Sequence, residues 1–349
     1  MTAQLYPHIR FAEPELLFSP DDRAQCDIHP LRGLSRFGPY TLGRIPGPLK
    51  IATIGPASEE DNLFNFIAGM RDPVGAQRSD RYRPAWPGFE NVFGVNIQGA
   101  RRRAHISISG DEDRAILNSE HPSAELAERL ARAISQLTYV RTDFDVIFLL
   151  LPDRWKQAFY GLEEEDFDLH DYLKGISAGF GSPLQIVRSD KALQYFDRNA
   201  VYWRLGVATY AKAGGVPWKL SATSGKVAYI GISYALRSSS SGKSRFVTCC
   251  SQVFDAEGSG LEFVAYDVDD VHFQGENPFL SEQQMSRVMW RSLDLYNRRY
   301  AGQFPEKVIV HKNTEFKESE VSGCLKALHM CKSVELIQVV SDVIWRGAR

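Results

Sequence analysis

The sequence predicts an α/β chain, a Rossmann-like domain followed by an RNase H-like one. Three observations lead there. Apolar runs without internal charge, such as Val146 to Leu151, alternate with amphipathic helical stretches through the first part of the chain, as in a largely parallel sheet covered on both faces. Further on, three strand-like runs follow one another with only turns between them. They then give way to helix, strand, helix and strand, the element order of an RNase H-like fold.

Bulk properties fit that class. The chain has 349 residues, of which 44% are apolar and 24% charged, and a formal net charge of −2. It can bury a sizeable core and divides more naturally into two domains than one. Its five cysteines form no C-x-x-C pair and have no histidine at zinc spacing, so no disulfide framework or metal knuckle is expected. The opening MTAQLYPHIRFAEPELLF lacks a basic region followed by an apolar core, and the longest apolar run is too short for a bilayer. A cytoplasmic protein without membrane anchoring is the expectation.

Taken in order, residues 1–48 are rich in proline, charge and turn signals and read as an N-terminal arm with little secondary structure of its own. LKIATIG (Leu49 to Gly55) is a strand, Ser58-Glu-Glu-Asp a cap, and NLFNFIAGM a helix. VFGVNI (Val92 to Ile97) is read as a strand, Ala124 to Leu137 as a helix, and VIFLLL as a buried strand. A helix around His170, the strand LQIV and a long helix through Tyr210 complete a domain over 49–217.

The remainder, 218–349, opens with the strand Val227 to Leu236, the polar turn SSSSGKS, the antiparallel strand Phe246 to Phe254 and the strand LEFVAYDV. SEQQMSRVMWRSLDLY carries apolar residues at helical spacing. The strand VIVH, the helix ESEVSGCLKAL and the strand SVELIQVV follow.

One stretch concentrates chemistry. His170 and Lys174 stand four apart and share a helix face, a Gly-Ser-Pro turn delivers Gln185 at the head of a strand, and Lys212 sits in the last turn of the next helix before Gly214-Gly215. Together they offer N–H donors suited to a phosphate monoester. Each also suits an ordinary solvated position, and Lys212 a helix dipole. From His170 to Lys226 there are eight basic residues against three acidic ones, a local excess of the kind nucleic acid attracts. Ligands of doubly wound sheets sit beyond the carboxyl ends of strands, which would suit this cluster. Two apparent motifs fail: Gly242-Lys243-Ser244 has Arg237 where a phosphate loop needs glycine, and Gly179-Phe-Gly181 lies between helix and strand in the wrong order.

GLSRFGPY near the start, HDYLK with SPLQIV, YAKAGGVPWKL, YIGIS, SQVF and VIVHKNTEFKESEVSGCLKAL occur in one order from about residue 31 to 330. In that ordered set the chain resembles the short prokaryotic Argonautes, made of a MID and a PIWI domain without PAZ. The resemblance implies a MID pocket in which His170, Lys174, Gln185 and Lys212 hold the 5′-phosphate of a guide strand, with His170 free to stack on the first base. It also implies Mg2+ bridging at that phosphate, aided by the chain's C-terminal carboxylate. Slicing members hold two metal ions with PIWI aspartates. Here the first of those positions is Ser233 in Gly231-Ile-Ser, the next Asn313 in His311-Lys-Asn. Neutral side chains cannot offset a dication's charge, so the expectation is no target cleavage. Asp255 and Asp267 are the alternative, relocated carboxylates of a guide-dependent nuclease.

The sequence stops at Trp345-Arg-Gly-Ala-Arg349, soon after the fourth PIWI strand, so the expected PIWI domain is incomplete and the C-terminal carboxylate's role is in doubt. The implied partners are a guide RNA with a 5′-phosphate, a single-stranded DNA target, and an APAZ-domain effector (TIR, sirtuin-like or nuclease) switched on in prokaryotic immunity.

Overall fold

The structure, a computed structural model, describes residues 12–43, 45, 47–76, 83–160, 167–221, 226–238, 245–268, 271–275 and 277–340. The Gly242-Lys243-Ser244 turn and the C-terminal residues from 341 onward lie outside these. The chain divides into two compact units, Met1–Trp218 and Lys219–Arg349.

In the first unit β1 (Leu16–Leu17), β2 (Cys26–Asp27) and α1 (Pro30–Phe37) precede β3 (Leu49–Pro56), α2 (Glu60–Gly69), α3 (Phe89–Phe93), β4 (Ile97–Gly99) and β5 (His105–Ile108). Then come α4 (Gly110–Leu117), α5 (Pro122–Thr138), β6 (Val146–Leu151), α6 (Leu169–Gly179), β7 (Leu184–Arg188) and α7 (Arg198–Lys212). The parallel sheet runs β4-β3-β6-β7, with β5 pairing the second half of β3.

Every residue of β6 is buried, and successive side chains go to opposite faces. Val146, Phe148 and Leu150 join a core with α2 and α7, while Ile147, Leu149 and Leu151 join another with α5 and α6. The continuous apolar run is therefore a strand wanted by two layers at once.

Three readings of the sequence change. The N-terminal segment is not merely extended: Pro30 begins α1 at a position where its missing N–H costs nothing, and the His29 ring accepts from Arg32 N at 3.1 Å. Val92 and Phe93 end the short helix α3 rather than begin a strand, because Gly94, at φ 67°, turns left-handed and donates its N–H back to Glu90. Ser58 does not cap α2. A 3₁₀ turn intervenes, and the Ser58 hydroxyl instead accepts from Arg154 Nη2 at 3.3 Å.

The second unit holds β8 (Lys219–Leu220), β9 (Val227–Ser238), β10 (Arg245–Asp255), β11 (Gly260–Val268), the hairpin β12 (Val271–Gln274) and β13 (Asn277–Leu280), then α8 (Glu282–Arg299), β14 (Lys307–Lys312), α9 (Glu318–Ala327) and β15 (Ser333–Gln338). Its sheet runs β11-β10-β9-β14-β15, antiparallel among the first three and parallel across β9, β14 and β15. Helices α8 and α9 cover the face from which Ile230, Ile232, Val308 and Val310 project. They approach closely at Gly323, where a Cβ would lie 2.5 Å from Glu282 O. Among the described residues no helix is long and apolar enough to cross a membrane.

A buried ion pair sits in this core. Lys312 Nζ donates to Glu320 Oε2 at 2.5 Å, with side chains 1% and 0% exposed. Glu320 also accepts from Leu280 N at 3.0 Å and Lys317 N at 3.1 Å, and the ammonium lies 4.8 Å from the Phe279 ring centroid. Burial pushes the Lys312 ammonium below its ordinary range, and Glu320 opposes the shift. Removing one partner strands a buried charge. Glu320→Ala should therefore lower unfolding stability by about 3–5 kcal/mol in urea titrations, whereas Lys326→Ala, which breaks the exposed pair with Glu282, should cost about 0–1 kcal/mol.

Candidate functional site

Strand β7 is at one edge of its sheet, with β6 on its other side. Helix α6 packs with the core on one face and α7 with the core on the other, so the two helices flank the edge strand from opposite sides. An edge strand leaves carbonyls unpaired. Lys212 takes one of them: its Nζ donates to Leu184 O at 2.7 Å and to Gln185 Oε1 at 2.7 Å. Gln185 Nε2 donates to Ile186 O at 2.9 Å.

Three of the four sequence-predicted residues thus cluster. Gln185 and Lys212 touch, and the Lys174 charge is near enough to act on Lys212. Burial first, and then the positive Lys174, hold the Lys212 ammonium down to about 8 from an ordinary 10.5. An ammonium has three N–H donors and a carboxamide two, so Lys212 and Gln185 each keep one for a ligand. Exposed Lys174 adds its own.

His170 stands one turn before Lys174 on α6. The Asp168 side chain caps that helix, accepting from His170 N at 2.7 Å and Asp171 N at 3.3 Å, and His170 Nδ1 lies 3.0 Å from Asp171 Oδ1. The ring is half exposed and bonded to its neighbour rather than to Gln185 or Lys212.

The carboxyl ends of the strands are not where this cluster forms. Helix α7 runs back across the sheet after β7, so Lys212 and Gln185 meet toward the amino end of that strand. Beyond the carboxyl ends lies a closed network around Arg154, whose guanidinium donates to Asp113 Oδ2 at 2.9 and 2.8 Å and also pairs with Glu59. Asp113 accepts from Trp155 Nε1 as well, at 2.6 Å. The protein's own charges take up one part of this crevice, and beside them Glu59, Ser189 and Arg198 line a cavity of about 390 Å³. Several basic residues counted in the sequence are likewise engaged: Arg188 with Asp190, Lys219 with Glu257, and Arg198 with the carbonyls of Ala192 and Leu193.

For a divalent cation, the described group of ligating side chains is Asp168, His170 and Asp171, with ligand atoms within 4.8 Å of one another and all exposed. Magnesium takes oxygen ligands, commonly one or two carboxylates plus phosphate and water. The two aspartates match that preference and the imidazole nitrogen does not.

In the second unit the last registered pair between β9 and β14 is Ile232 with Lys312. Ser233 and Asn313 follow directly on these neighbouring strands, and both are exposed. Asp255 pairs with Ala228, five residues earlier on β9, roughly 16 Å along the strand. Its carboxylate is occupied by Glu257 N at 3.0 Å, Ser259 N at 2.8 Å and Tyr300 Oη at 3.0 Å. Burial and the Asp255 charge push the Tyr300 phenol up to about 12. The backbone of Asp267 pairs with Thr248, and its side chain lies outside the described residues.

Sequence reading passed over Arg154, the Lys312–Glu320 pair and the β12–β13 hairpin. One signal for Lys312 was present: it shares strand parity with the buried Val308 and Val310, so it had to point into the core.

No protein-family model matches the chain. Over 205 residues it is 27% identical to the Protein argonaute of Cereibacter sphaeroides, which covers 54% of this chain and 22% of that relative. Among solved structures it is similar to Clostridium butyricum Argonaute bound to a guide DNA and a 19-mer target DNA, at TM-score 0.59 and 15% identity, covering 95% of this chain and 40% of that one. Marinitoga piezophila Argonaute in complex with a 5′-OH guide RNA gives TM-score 0.54 at 12% identity, with coverages of 96% and 44%. Drosophila Piwi gives 0.54 at 12%, with coverages of 92% and 35%. The chain spans about a fifth of the curated relative and about two fifths of the solved chains. The chain thus resembles Argonaute proteins, in sequence over part of its length and in its mixed α/β fold over nearly all of it.

Proposed function

We propose that the protein holds a guide strand by its 5′-phosphate and pairs it with a complementary target without cutting that target. The observation that carries the reading is the cluster at the edge of β7. Two ammonium groups and a carboxamide converge there, and Lys212 is oriented by Leu184 O and Gln185. A phosphate monoester is about doubly negative at neutral pH and accepts hydrogen bonds at three oxygens. His170, one turn away on α6, supplies a half-exposed ring for the first base. Asp168 and Asp171 are the carboxylates that would hold magnesium beside the phosphate, where the cation would neutralise charge.

The inactive reading draws on Ser233 and Asn313, neither of which offers an anionic ligand to a metal. The alternative, a nuclease with relocated carboxylates, is weakened by the occupied Asp255. Without cleavage a partner must deliver the output. We assign that role to an APAZ-domain effector carrying a TIR, sirtuin-like or nuclease domain, acting in prokaryotic immunity. An RNA guide and a single-stranded DNA target are part of the same proposal. A 5′-hydroxyl guide is the second reading, favoured by the likeness to an Argonaute solved with one.

Binding assays decide between these. A 5′-phosphorylated RNA should bind the protein at least tenfold more tightly than its 5′-hydroxyl counterpart, and Lys174→Ala or Lys212→Ala should each cost about tenfold for the phosphorylated strand only. Equal affinities would favour the 5′-hydroxyl reading. Lys212 loses its proton as pH rises through about 8, so affinity for the phosphorylated strand should fall between pH 7 and 9.5, while Lys212→Arg should flatten that profile. In guided reactions with Mg2+ or Mn2+ the target should stay intact; cuts abolished by Asp255→Ala or Asp267→Ala would establish the nuclease instead.

A further inference from the structure

We propose that a basic rim along the amino ends of the parallel sheet in the first unit binds the unpaired stretch of a target strand that runs on beyond the 5′ end of the guide. This inference rests on the guide-binding reading above and deepens it. Strands of a duplex are antiparallel, so with the guide's first nucleotide anchored at β7 the target's 3′ flank emerges beside that anchor. The neighbouring surface of the first unit is what it meets.

Four segments come together at or near these strand ends: 47–50 leading into β3, 100–104 between β4 and β5, 139–145 between α5 and β6, and 180–183 before β7. They carry five cations, Lys50, Arg101, Arg102, Arg103 and Arg141, against two acids, Asp143 and Asp145. Both acids are already answered. Arg103 donates to the Asp143 carboxylate from Nε and Nη2, and Lys50 N donates to Asp145 Oδ2 at 2.7 Å. Arg103 above all, with the charges of Arg101 and Lys50 adding to it and burial opposing, holds the Asp143 carboxyl below its ordinary range. Among the described residues the Lys50, Arg101 and Arg102 side chains make no ion pair, and all three are exposed.

The arginines are held in place by the backbone that carries them. Ala100 N donates to Ile51 O at 2.8 Å, Ala100 O accepts from His105 Nε2 at 2.8 Å, and Ala104 is fully buried. With both ends of 100–104 fixed to the sheet, the three arginines between them turn outward together, and groups positioned beforehand lose less freedom when a ligand arrives. Arg141 extends the rim toward the guide anchor, donating to Phe144 O at 2.7 Å and to Gly181 O at 3.2 Å, just ahead of β7. From β7 across β6 and β3 to β4 is three strand spacings, roughly 14 Å, a span that a few nucleotides cover.

Tyr139 decides the kind of anion. It caps the end of α5, two residues before Arg141, and is 88% exposed. Cations that track a backbone, with an aromatic face on which a base can stack, are how single strands are held without sequence preference. An acidic protein segment would use the cations and leave the ring idle.

The test loads the full chain with a 5′-phosphorylated RNA guide in EDTA and measures affinity for DNA targets of one paired sequence that are blunt, tailed with oligothymidine at the 3′ end, or tailed at the 5′ end. The 3′ tail should tighten binding by roughly three- to tenfold, with a salt dependence steeper by about 0.7 for each phosphate engaged, and the 5′ tail should add nothing. Tyr139→Ala, and Arg101→Ala combined with Arg102→Ala, should each lose most of that gain while taking up guide and blunt target as the wild type does. With an abasic 3′ tail Tyr139→Ala should match the wild type, since the ring then has no base to stack on. No gain from the 3′ tail, an equal gain from the 5′ tail, or a gain that survives either substitution would overturn the rim and leave the guide-binding reading in place. Polyglutamate that cancels the gain as effectively as free oligothymidine would assign the rim to an acidic protein segment and overturn it too. A wild-type protein that takes up no guide would overturn the guide-binding reading, and the rim with it.

Discussion

A strand buried on both faces dictates the layout of the first unit. Because β6 sends alternate side chains into two cores, helices must cover both sides of the sheet, and the strand beyond it, β7, becomes an edge with a helix on each flank. Everything at the candidate site follows from that placement. Helix α6 brings Lys174 from one face, α7 brings Lys212 from the other, and the edge strand offers an unpaired carbonyl at Leu184 together with the Gln185 side chain. Gln185 and Lys212, 27 positions apart, meet because the sheet ends between them and solvent.

The second unit meets a different constraint. Lys312 occupies a core position by strand parity, and a charge buried there needs an answering one. Glu320 supplies it and also accepts the N–H groups of Leu280 and Lys317, so a single carboxylate fastens the hairpin, the end of β14 and the start of α9. Asn313 follows directly on the strand end fastened in this way, beside Ser233 on the neighbouring strand, and both side chains are neutral.

Much of this was legible in the sequence, for physical reasons that differ by element. Period and length identified β6, α5, α7 and the antiparallel run β9 to β11, since burial imposes its own spacing on side chains. Local signals were less dependable. Gly94, inside a stretch read as a strand, is the stop of a helix, and Pro30, inside a stretch read as an arm with little secondary structure, starts one. At the candidate site, spacing put His170 and Lys174 on one face and Lys212 at a helix end, and the fold joins Lys212 to Gln185. Spacing could not reveal that the meeting point lies toward the amino end of β7. Nor could it reveal that Arg154 ties the carboxyl-end connections together, because Glu59, Asp113 and Arg154 come from three separate ones.

The lowered proton affinity of Lys212 has a consequence of its own. An anion settling against a half-neutral amine draws a proton from the solvent, so in mildly alkaline conditions association would consume acid. The measured heat would then contain a contribution from the buffer that donates the proton, and would change when one buffer is exchanged for another of different ionisation enthalpy.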